Sequence, residues 1–297
     1  MPGALPLRIL RRVHARTLCA IALLAAGSAL AAEPPPPGGI PDIAGPRMLG
    51  LSAGIGTAAG NDGIYLNPGA IAARKRYSVE TGLLLDRRGA DTVDRFLGGS
   101  IVDSQSSPVT AGVSFLRAQE GTFTGNIVHL ALAGPIADKL YLGVGGKYLS
   151  VRGPSNTSAA TVDAGVLWQV ADLVSIGFAG YDLVPVGNDA VAPMGAGAGI
   201  ALGNDRTLQL TGDWRADFDR RGKTTNRFAA GVEVLLGRLV PLRAGWMKDE
   251  TLDTQWWSIG AGLVTQNGVA LDVGYRQSME DPSARTIAAT LKVFLPQ

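Results

Sequence analysis

His129 is the residue of this chain best suited to proton transfer, because the other histidine, His14, lies in the N-terminal leader. A hydrolase with a serine nucleophile would need His129 as its general base. The neighbouring residues Val128 and Leu130 have the opposite parity, so in a strand His129 would face away from their apolar side. No serine or acid is placed near it by a known spacing, and the sequence predicts no catalytic residue and no enzyme activity.

Metal and cofactor chemistry have little support in the sequence. Cys19 is the only cysteine and it also lies in the N-terminal leader, so we expect neither a metal site nor a disulfide. The segment Gly195-Ala196-Gly197-Ala198-Gly199 resembles a nucleotide-binding loop superficially, but no helix pattern follows it and the third glycine is misplaced. We interpret it as a glycine-rich strand that permits close packing, and we predict no cofactor.

The first 31 residues have the three parts of a secretory signal peptide. A basic start precedes the apolar run 17–26, which is too short to anchor the chain in a bilayer, and Ala29-Leu30-Ala31 follows. Removing residues 1–31 lowers the basic count from 27 to 23 against 25 acidic residues, a net charge of −2. The mature protein therefore lacks the basic balance that nucleic-acid binding requires. The arginines that would be removed are Arg8, Arg11, Arg12 and Arg16.

Two further segments precede the regular pattern. Residues 32–46 are rich in Pro and Gly and are typical of an extended leader. Residues 47–76 are rich in small residues without alternation. Asn67 and Pro68 are typical of the N-cap and first position of a helix. We interpret 47–76 as a helical plug; a ligand site in it is the weaker alternative.

Apolar and polar residues alternate through residues 77–297, as in strands with one apolar and one polar face. Most of the predicted strands have the length that a tilted strand needs to cross a bilayer. The sequence thus predicts an all-β fold, a transmembrane antiparallel barrel of about fourteen strands with a short N-terminal helical plug. The strands are 77–86, 94–103, 109–117, 125–134, 140–151, 159–170, 173–182, 194–203, 207–217, 227–237, 240–249, 256–265, 269–277 and 285–295.

The predicted connections alternate between longer and shorter ones, which is typical of a membrane barrel with both chain ends in the periplasm. Aromatic residues on the apolar face, mostly near strand ends, give a second indication, since membrane barrels carry aromatic girdles at both interfaces. The alternative, a soluble sandwich, would favour aromatics at strand centres. The predicted girdle consists of Tyr148, Trp168, Trp214, Trp246, Trp257 and Tyr275.

The N-terminal segment from Arg47-Met48-Leu49-Gly50 through Asn67-Pro68-Gly69-Ala70 resembles the signature of the FadL-like outer-membrane barrel superfamily. That superfamily includes long-chain fatty acid transporters and the PorV/PorQ-type barrels of secretion systems. This chain has Asn-Pro-Gly-Ala where Asn-Pro-Ala-Gly is common. The resemblance implies a plug followed by a fourteen-stranded barrel in the bacterial outer membrane. Its plug motif corresponds here to Asn61, Asp62, Tyr65, Asn67, Pro68 and Gly69.

The polar face carries charges of both signs in comparable numbers. Charges confined in a lumen tend to pair, because an isolated one is costly to desolvate. We therefore favour a salt-bridged lumen over an ion-selective ring, and no ring of a single sign is visible. The candidate lumen-lining residues are Glu80, Lys147, Asp163, Asp213, Arg215, Glu233, Arg243, Asp272, Arg276 and Lys292.

Two functions remain open from the sequence. The barrel either conducts a hydrophobic small molecule passively across the outer membrane, or it is a non-transporting scaffold for secretion or surface attachment. An apolar path from the external mouth to a lateral opening in the wall would support transport, and a closed lumen with an exposed apolar patch on the external rim would support the scaffold. The apolar plug residues could face a pocket inside the barrel mouth or, as is commoner, pack within the plug; they are Leu49, Leu51, Ile55, Ile64 and Leu66. The expected partners are outer-membrane lipid with either a hydrophobic ligand or secretion-system proteins, and no nucleic acid.

Overall fold

Fourteen antiparallel strands form the body of the protein in a computed structural model. The structure describes residues 45–57, 60–87, 93–120, 123–153, 156–186, 192–220 and 223–295. The predicted signal peptide and nearly all of the predicted leader lie outside these residues. The strands are β1 Tyr77–Arg87, β2 Val93–Asp103, β3 Thr110–Glu120, β4 Phe123–Ala137, β5 Leu140–Arg152, β6 Thr157–Ala171, β7 Val174–Tyr181, β8 Gly195–Gly203, β9 Leu208–Arg220, β10 Lys223–Leu236, β11 Val240–Asp249, β12 Thr254–Val264, β13 Val269–Ser278 and β14 Arg285–Leu295.

Each strand pairs with its neighbours in sequence, and β1 pairs with β14, so the sheet closes on itself. The closing pair is in register from Tyr77 opposite Leu295 to Arg87 opposite Arg285. Closure leaves no edge strand with unpaired backbone groups, which a lipid environment requires. The predicted barrel and its strand number are therefore confirmed. We call the end where β1 begins and β14 ends the terminal end, and the opposite end the loop end.

The strands alternate in exposure as predicted, with large apolar side chains outward and small or polar ones inward. On β2, Leu97 is 59% exposed on the outer face while its neighbour Phe96 is 1% exposed inside. Among the described residues, no helix has the length and apolar character needed to cross a membrane.

The predicted difference in connection length is wrong. The connections 121–122 and 221–222 at the loop end are as short as the connections 138–139 and 172–173 at the terminal end. The cause is that backbone pairing continues where apolar alternation stops: Arg117 to Glu120 still pair with Asn126 to Phe123. Only the connection 182–194 is much longer than the rest.

The segment before β1 folds inside the barrel. Helix α1 spans Pro46–Leu51, helix α2 spans Gly63–Leu66, and a 3₁₀ helix spans Pro68–Ala73. Most of these residues are buried, including Leu49, Leu51 and Ile64. The segment lies against strands on both sides of the lumen, and we refer to residues 45–76 as the plug.

Candidate functional site in the barrel interior

The plug crosses the lumen where the barrel wall is lined with glycine. A Cβ atom on Gly177 of β7 would lie 1.9 Å from the carbonyl oxygen of Ile55, and one on Gly231 of β10 would lie 2.2 Å from that of Leu51. A Cβ atom on Gly199 of β8 would lie 2.6 Å from the backbone nitrogen of Gly56. The plug backbone therefore contacts the wall backbone without intervening side chains. This explains the glycine-rich strand β8. Other wall glycines against the plug are Gly143, Gly165, Gly245 and Gly274.

Inward-facing polar side chains hold the plug backbone. Asp213 on β9 accepts hydrogen bonds from the backbone N–H groups of Gly54 and Ile55, at 2.6 and 2.9 Å from Oδ2. Ser258 on β12 donates to the carbonyl of Gly50 at 2.9 Å. These bonds satisfy plug backbone groups that a short irregular segment cannot pair internally. Two further donors are Ser175, to Gly56, and Tyr181, to Leu66.

Asn67 is the most connected residue of the plug motif. Its amide nitrogen donates to the carbonyl oxygens of Ile55 and Val166, at 2.9 and 3.0 Å. Its Oδ1 accepts from the backbone N–H of Gly69 at 3.1 Å, so Asn67 caps the 3₁₀ helix that begins at Pro68. One fully buried side chain thus joins two parts of the plug to β6.

The other motif residues lie nearby. Asn61 donates to the Ser100 hydroxyl on β2 at 2.9 Å and accepts from Ser78 on β1 at 2.6 Å. Asp62 precedes α2, and its main-chain carbonyl accepts the N–H of Leu66. All six motif residues therefore make contacts within the plug or with the wall around it. Pro68 and Gly69 pack against wall glycines, and Tyr65 contacts His129.

Ion pairs occupy much of the remaining lumen. Glu233 on β10 binds both Arg47 of the plug and Arg243 of β11. Arg243 also contacts Asp272 on β13 at 2.6 Å, so two acids and two bases form one buried network. Such a network offsets the desolvation of charges that would be costly singly.

The structure places the ten candidate lumen residues on the inner face, and most of them form ion pairs. Lys292 contacts Glu80 at 2.7 Å, and Lys147 contacts Asp163 at 3.7 Å. Asp213 holds the plug backbone, and Arg276 contacts Thr286 and stacks over the Trp256 ring. The remaining members pair as Arg215–Asp217, Arg47–Glu233, Arg243–Glu233 and Arg243–Asp272.

Several lumen charges were not among the sequence candidates. Asp182, just after β7, binds Lys147 at 2.7 Å. Asp217 on β9 binds both Arg215 and Arg227. Parity identifies Asp217 and Arg227, since each shares the inward face of its strand with a candidate. Arg47 has no such signal because it lies outside the strands, and Asp182, which ends the predicted strand 173–182, has the outward parity of Phe178 there, whereas β7 ends at Tyr181.

Another part of the interior wall carries an apolar cluster, with the buried carboxylates Asp86 and Asp94 beside it on β1 and β2. A buried cluster joins Leu84 on β1, Phe96 on β2 and Leu116 on β3, and the plug side chain Leu49 packs against it. Its members lie mainly in the loop-end halves of their strands and extend the apolar surface down to the plug. We call this set the apolar wall; it is completed by Ala118, Ile127, Leu149, Ala192 and Ala288.

Two narrow cavities flank the plug. The first lies between the apolar wall and polar groups of the plug, and the hydroxyl of Thr290 in it has no hydrogen-bond partner among the described residues. Its lining includes Asp62, Tyr65, Glu80, Leu84, Phe96 and Leu116. The second lies on the charged side and is lined by Ile55, Leu66, Tyr181, Asp213, Arg215, Arg227 and Met247, among others.

His129 faces inward on β4, as its parity indicates. Its Nδ1 lies 3.4 Å from the Ser114 hydroxyl on β3, and the Tyr65 ring meets it edge-on at 5.0 Å. Its partner on β5 is the cation Lys147, in place of the carboxylate that a catalytic triad would require. Within the described ranges, no group of three or more acidic, histidine or cysteine residues has the arrangement of a metal site.

The six predicted girdle aromatics lie on the outer face. Tyr148, Trp168, Trp214 and Trp246 are exposed, while Trp257 and Tyr275 are partly covered by each other, with ring centroids 5.4 Å apart. Trp168 lies near the terminal end, Trp214 lies at the middle of β9, and the other four lie in the loop-end halves of their strands. Their contact with a membrane interface stays a prediction.

Solved structures with this architecture are FadL-like barrels. The toluene transporter TbuX of Ralstonia pickettii superposes with a TM-score of 0.66 at 12% identity, covering 85% of this chain and 97% of that one. A Pseudomonas aeruginosa FadL homologue gives 0.64 at 13% identity, covering 86% and 98%. The toluene transporter TodX of Pseudomonas putida gives 0.63 at 10% identity, covering 86% and 96%.

The likeness in structure is not matched in sequence. No protein-family model matches the chain, and no curated protein sequence is significantly similar to it. The chain therefore has the FadL-like barrel fold that its N-terminal residues indicated, at sequence identities that establish the fold alone.

Proposed function

We propose that this protein is a bacterial outer-membrane barrel through which small hydrophobic molecules pass passively. The observation that carries the proposal is the apolar wall inside the barrel. Interior residues of a polar-lined pore have no reason to be Leu84, Phe96 and Leu116 together. Structures similar in fold are described as toluene transporters, which supports the same class of substrate.

The two halves of the lumen have different roles in this proposal. The salt-bridged side, with Glu233 and Arg243 at its centre, fixes the plug and offers no unpaired ring of charge to an ion. The apolar wall offers a path along which an uncharged molecule loses no hydrogen bonds. A packed apolar cluster would suit a scaffold barrel as well, so the preference for transport over the scaffold alternative is supported by the structures of similar fold that are described as toluene transporters.

The proposal includes the order of segments along the chain. Residues 1–31 direct export and are removed, 32–46 form a leader, 47–76 form the plug and 77–297 form the barrel. The outward aromatics, Trp168 at one end and Trp246 at the other, would then lie at the two membrane interfaces.

Uptake of radiolabelled toluene and of a labelled long-chain fatty acid by cells that express the protein tests this function. We expect faster initial uptake of at least one compound than in cells with an empty vector. The variant Phe96→Asn places a polar amide in the apolar wall and should reduce that uptake severalfold. Equal uptake by expressing and control cells would refute transport of these compounds.

A matched control is available on the next strand. Phe115 on β3 faces outward, so Phe115→Asn makes the same chemical change on the lipid side of the wall. It should leave uptake near the wild-type rate. Both variants are first checked for heat-modifiable migration on a denaturing gel, which reports the folded barrel, so that loss of folding is not mistaken for loss of the path.

A further inference from the structure

The cavity between the apolar wall and the plug is lined by successive rows of inward-facing residues. The row toward the loop end is apolar, with Leu84 of β1 opposite Phe96 of β2. In the next row, Thr290 of β14 lies opposite Gly82 of β1, which in turn lies opposite Gly98 of β2. All five residues line the cavity, and we call it the Thr290 cavity.

The two glycines of the Thr290 cavity differ from the wall glycines that contact the plug. At Gly177 and Gly231, the atom nearest to an added Cβ is a carbonyl oxygen of the plug. At Gly82 and Gly98, the three nearest atoms all belong to neighbouring strands. The plug backbone therefore does not take the place of these two missing side chains, and the space they leave contributes to the cavity.

Thr290 brings a polar group without a partner to this cavity. The residue is only 5% exposed, and its hydroxyl has no hydrogen-bond partner among the described residues. Leaving a buried hydroxyl unpaired is unfavourable, and buried polar groups of folded proteins almost always have a partner. A ligand group that pairs with the Thr290 hydroxyl removes this penalty, so the cavity favours a molecule with a hydrogen-bonding group over a plain hydrocarbon.

Two carboxylates beside Thr290 indicate which group the ligand carries. Glu80 is the diagonal neighbour of Thr290 in the register, with Cβ atoms about 7 Å apart, and Asp62 of the plug lines the same cavity. A hydroxyl between Thr290 and Glu80 can accept from the first and donate to the second, which a carbonyl group cannot do. Lys292 compensates the charge of Glu80 at 2.7 Å, and the charge of Asp62 repels a carboxylate ligand.

We propose that the Thr290 cavity binds the hydroxyl group of a small uncharged aromatic alcohol, of which phenol and the cresols are the simplest members. The cavity is narrow, so the hydroxyl enters the space beside Gly82 and Gly98 while the ring lies against the apolar wall. The inference rests on the proposed passage of small hydrophobic molecules, and it names the class among them for which this lumen has a specific contact.

Solution NMR of the detergent-purified protein with isotope-labelled leucine methyl groups measures this binding independently of transport. The probes are p-cresol and p-xylene, which have nearly the same shape and differ by a hydroxyl in place of a methyl group. The shifts of the Leu84 and Leu116 methyl signals give the Kd of each probe. Thr290→Val keeps the shape of the side chain and should weaken p-cresol binding by about three- to tenfold, with p-xylene binding unchanged. Thr290→Ser retains the hydroxyl and should bind p-cresol with close to the wild-type affinity.

The control Thr81→Val makes the same replacement on the exposed outer face of β1 and should change neither affinity. Thr290→Val should fold as the wild type does, since it removes a hydroxyl that has no partner, and the heat-modifiable gel shift checks this.

The proposal is overturned if p-cresol does not bind, or if Thr290→Val weakens both probes equally or neither of them. Binding of p-toluate as tight as that of p-cresol would also overturn it, because the cavity should reject a carboxylate. Toluene uptake measured in parallel tests the proposed function separately. Uptake without an effect of Thr290→Val on p-cresol binding leaves transport standing and removes the hydroxyl site, whereas that effect without uptake leaves the site standing and removes transport of toluene.

Discussion

The guanidinium group of Arg47, in the plug, donates two hydrogen bonds to the carboxylate of Glu233 on β10, at 2.9 and 3.1 Å. Both side chains are buried, and the same carboxylate also binds Arg243. Burial and Glu233 act in opposite directions on Arg47, and the balance raises the pKa of this arginine above its ordinary value. The pair therefore remains charged throughout the physiological range and joins the plug to the wall.

Removing the charge of Glu233 should destabilise the protein strongly. Glu233→Gln leaves Arg47 without a charged partner in the lumen and Arg243 with Asp272 alone, and breaking a buried pair in this way costs about 3–5 kcal/mol. The temperature of the heat-modifiable gel shift should fall. Adding Arg47→Met to Glu233→Gln should recover part of the loss, because the buried unpaired cation is gone. A double variant no more stable than the single one would contradict this account.

The close approach of Gly177 to the plug predicts a steric effect of a single methyl group. Gly177→Ala would place a Cβ 1.9 Å from the Ile55 carbonyl oxygen, and backbone must shift to accommodate it, at a cost of about 1–3 kcal/mol. We expect the plug to become more accessible to protease. Gly146→Ala on β5 is the control, since no atom lies within 4 Å of its added Cβ. Similar proteolysis of both variants would show that the plug is not seated against β7.

The contact between Arg74 of the plug and Asp205 in the turn after β8 predicts a dependence on pH. Burial raises the pKa of Asp205, but the hydrogen bond and charge of Arg74 outweigh it and leave this pKa below the ordinary value. The contact stabilises the folded protein fully at any pH above about 3.9, the pKa of Asp205 in the unfolded chain. This stabilisation is lost as the pH falls through the lower pKa that Asp205 has in the folded protein. Near neutral pH the contact should be intact.

Hydrogen exchange of the plug measured from pH 7 down to pH 2 or so checks this expectation. Wild-type protection at Arg74 should be constant to about pH 4 and then decrease, whereas Asp205→Asn should show the lower protection throughout. The exposed pair Lys139–Asp172 in another turn provides the control, and Asp172→Asn should have little effect. A wild-type decrease already near pH 6 would rule out Asp205 as the responsible group.

The barrel was predictable because alternation is a local property. Each strand shows its two faces in its own ten or so residues, as Phe96 and Leu97 do, and the strand count follows without knowledge of any partner. The prediction of the loop lengths was wrong for a related reason. Alternating apolar residues mark only the part of a strand that faces an apolar environment. Backbone pairing between strands continues beyond that part, through polar residues such as Arg117 and Gln119.

The contacts of the plug were not predictable in the same way. Asn67 as a helix cap follows from the neighbouring Pro68, but its bond to Val166 joins residues 99 positions apart and depends on how β6 is placed around the barrel. Inward parity identified Asp213 as a lumen residue, yet only the structure shows that it binds backbone N–H groups instead of a cation.

The glycine-lined wall has a consequence for assembly. The plug is synthesised before every strand, yet Arg47 meets Glu233, 186 residues later in the chain, only when most of the barrel is in place. Until then no strand contacts offset the loss of chain entropy that bringing two such distant residues together requires. Folding that depends on contacts between residues far apart in the chain is slow. Because Gly177 and Gly231 leave room for nothing but plug backbone at these contacts, the barrel wall and the plug fit each other only when both have reached their final positions.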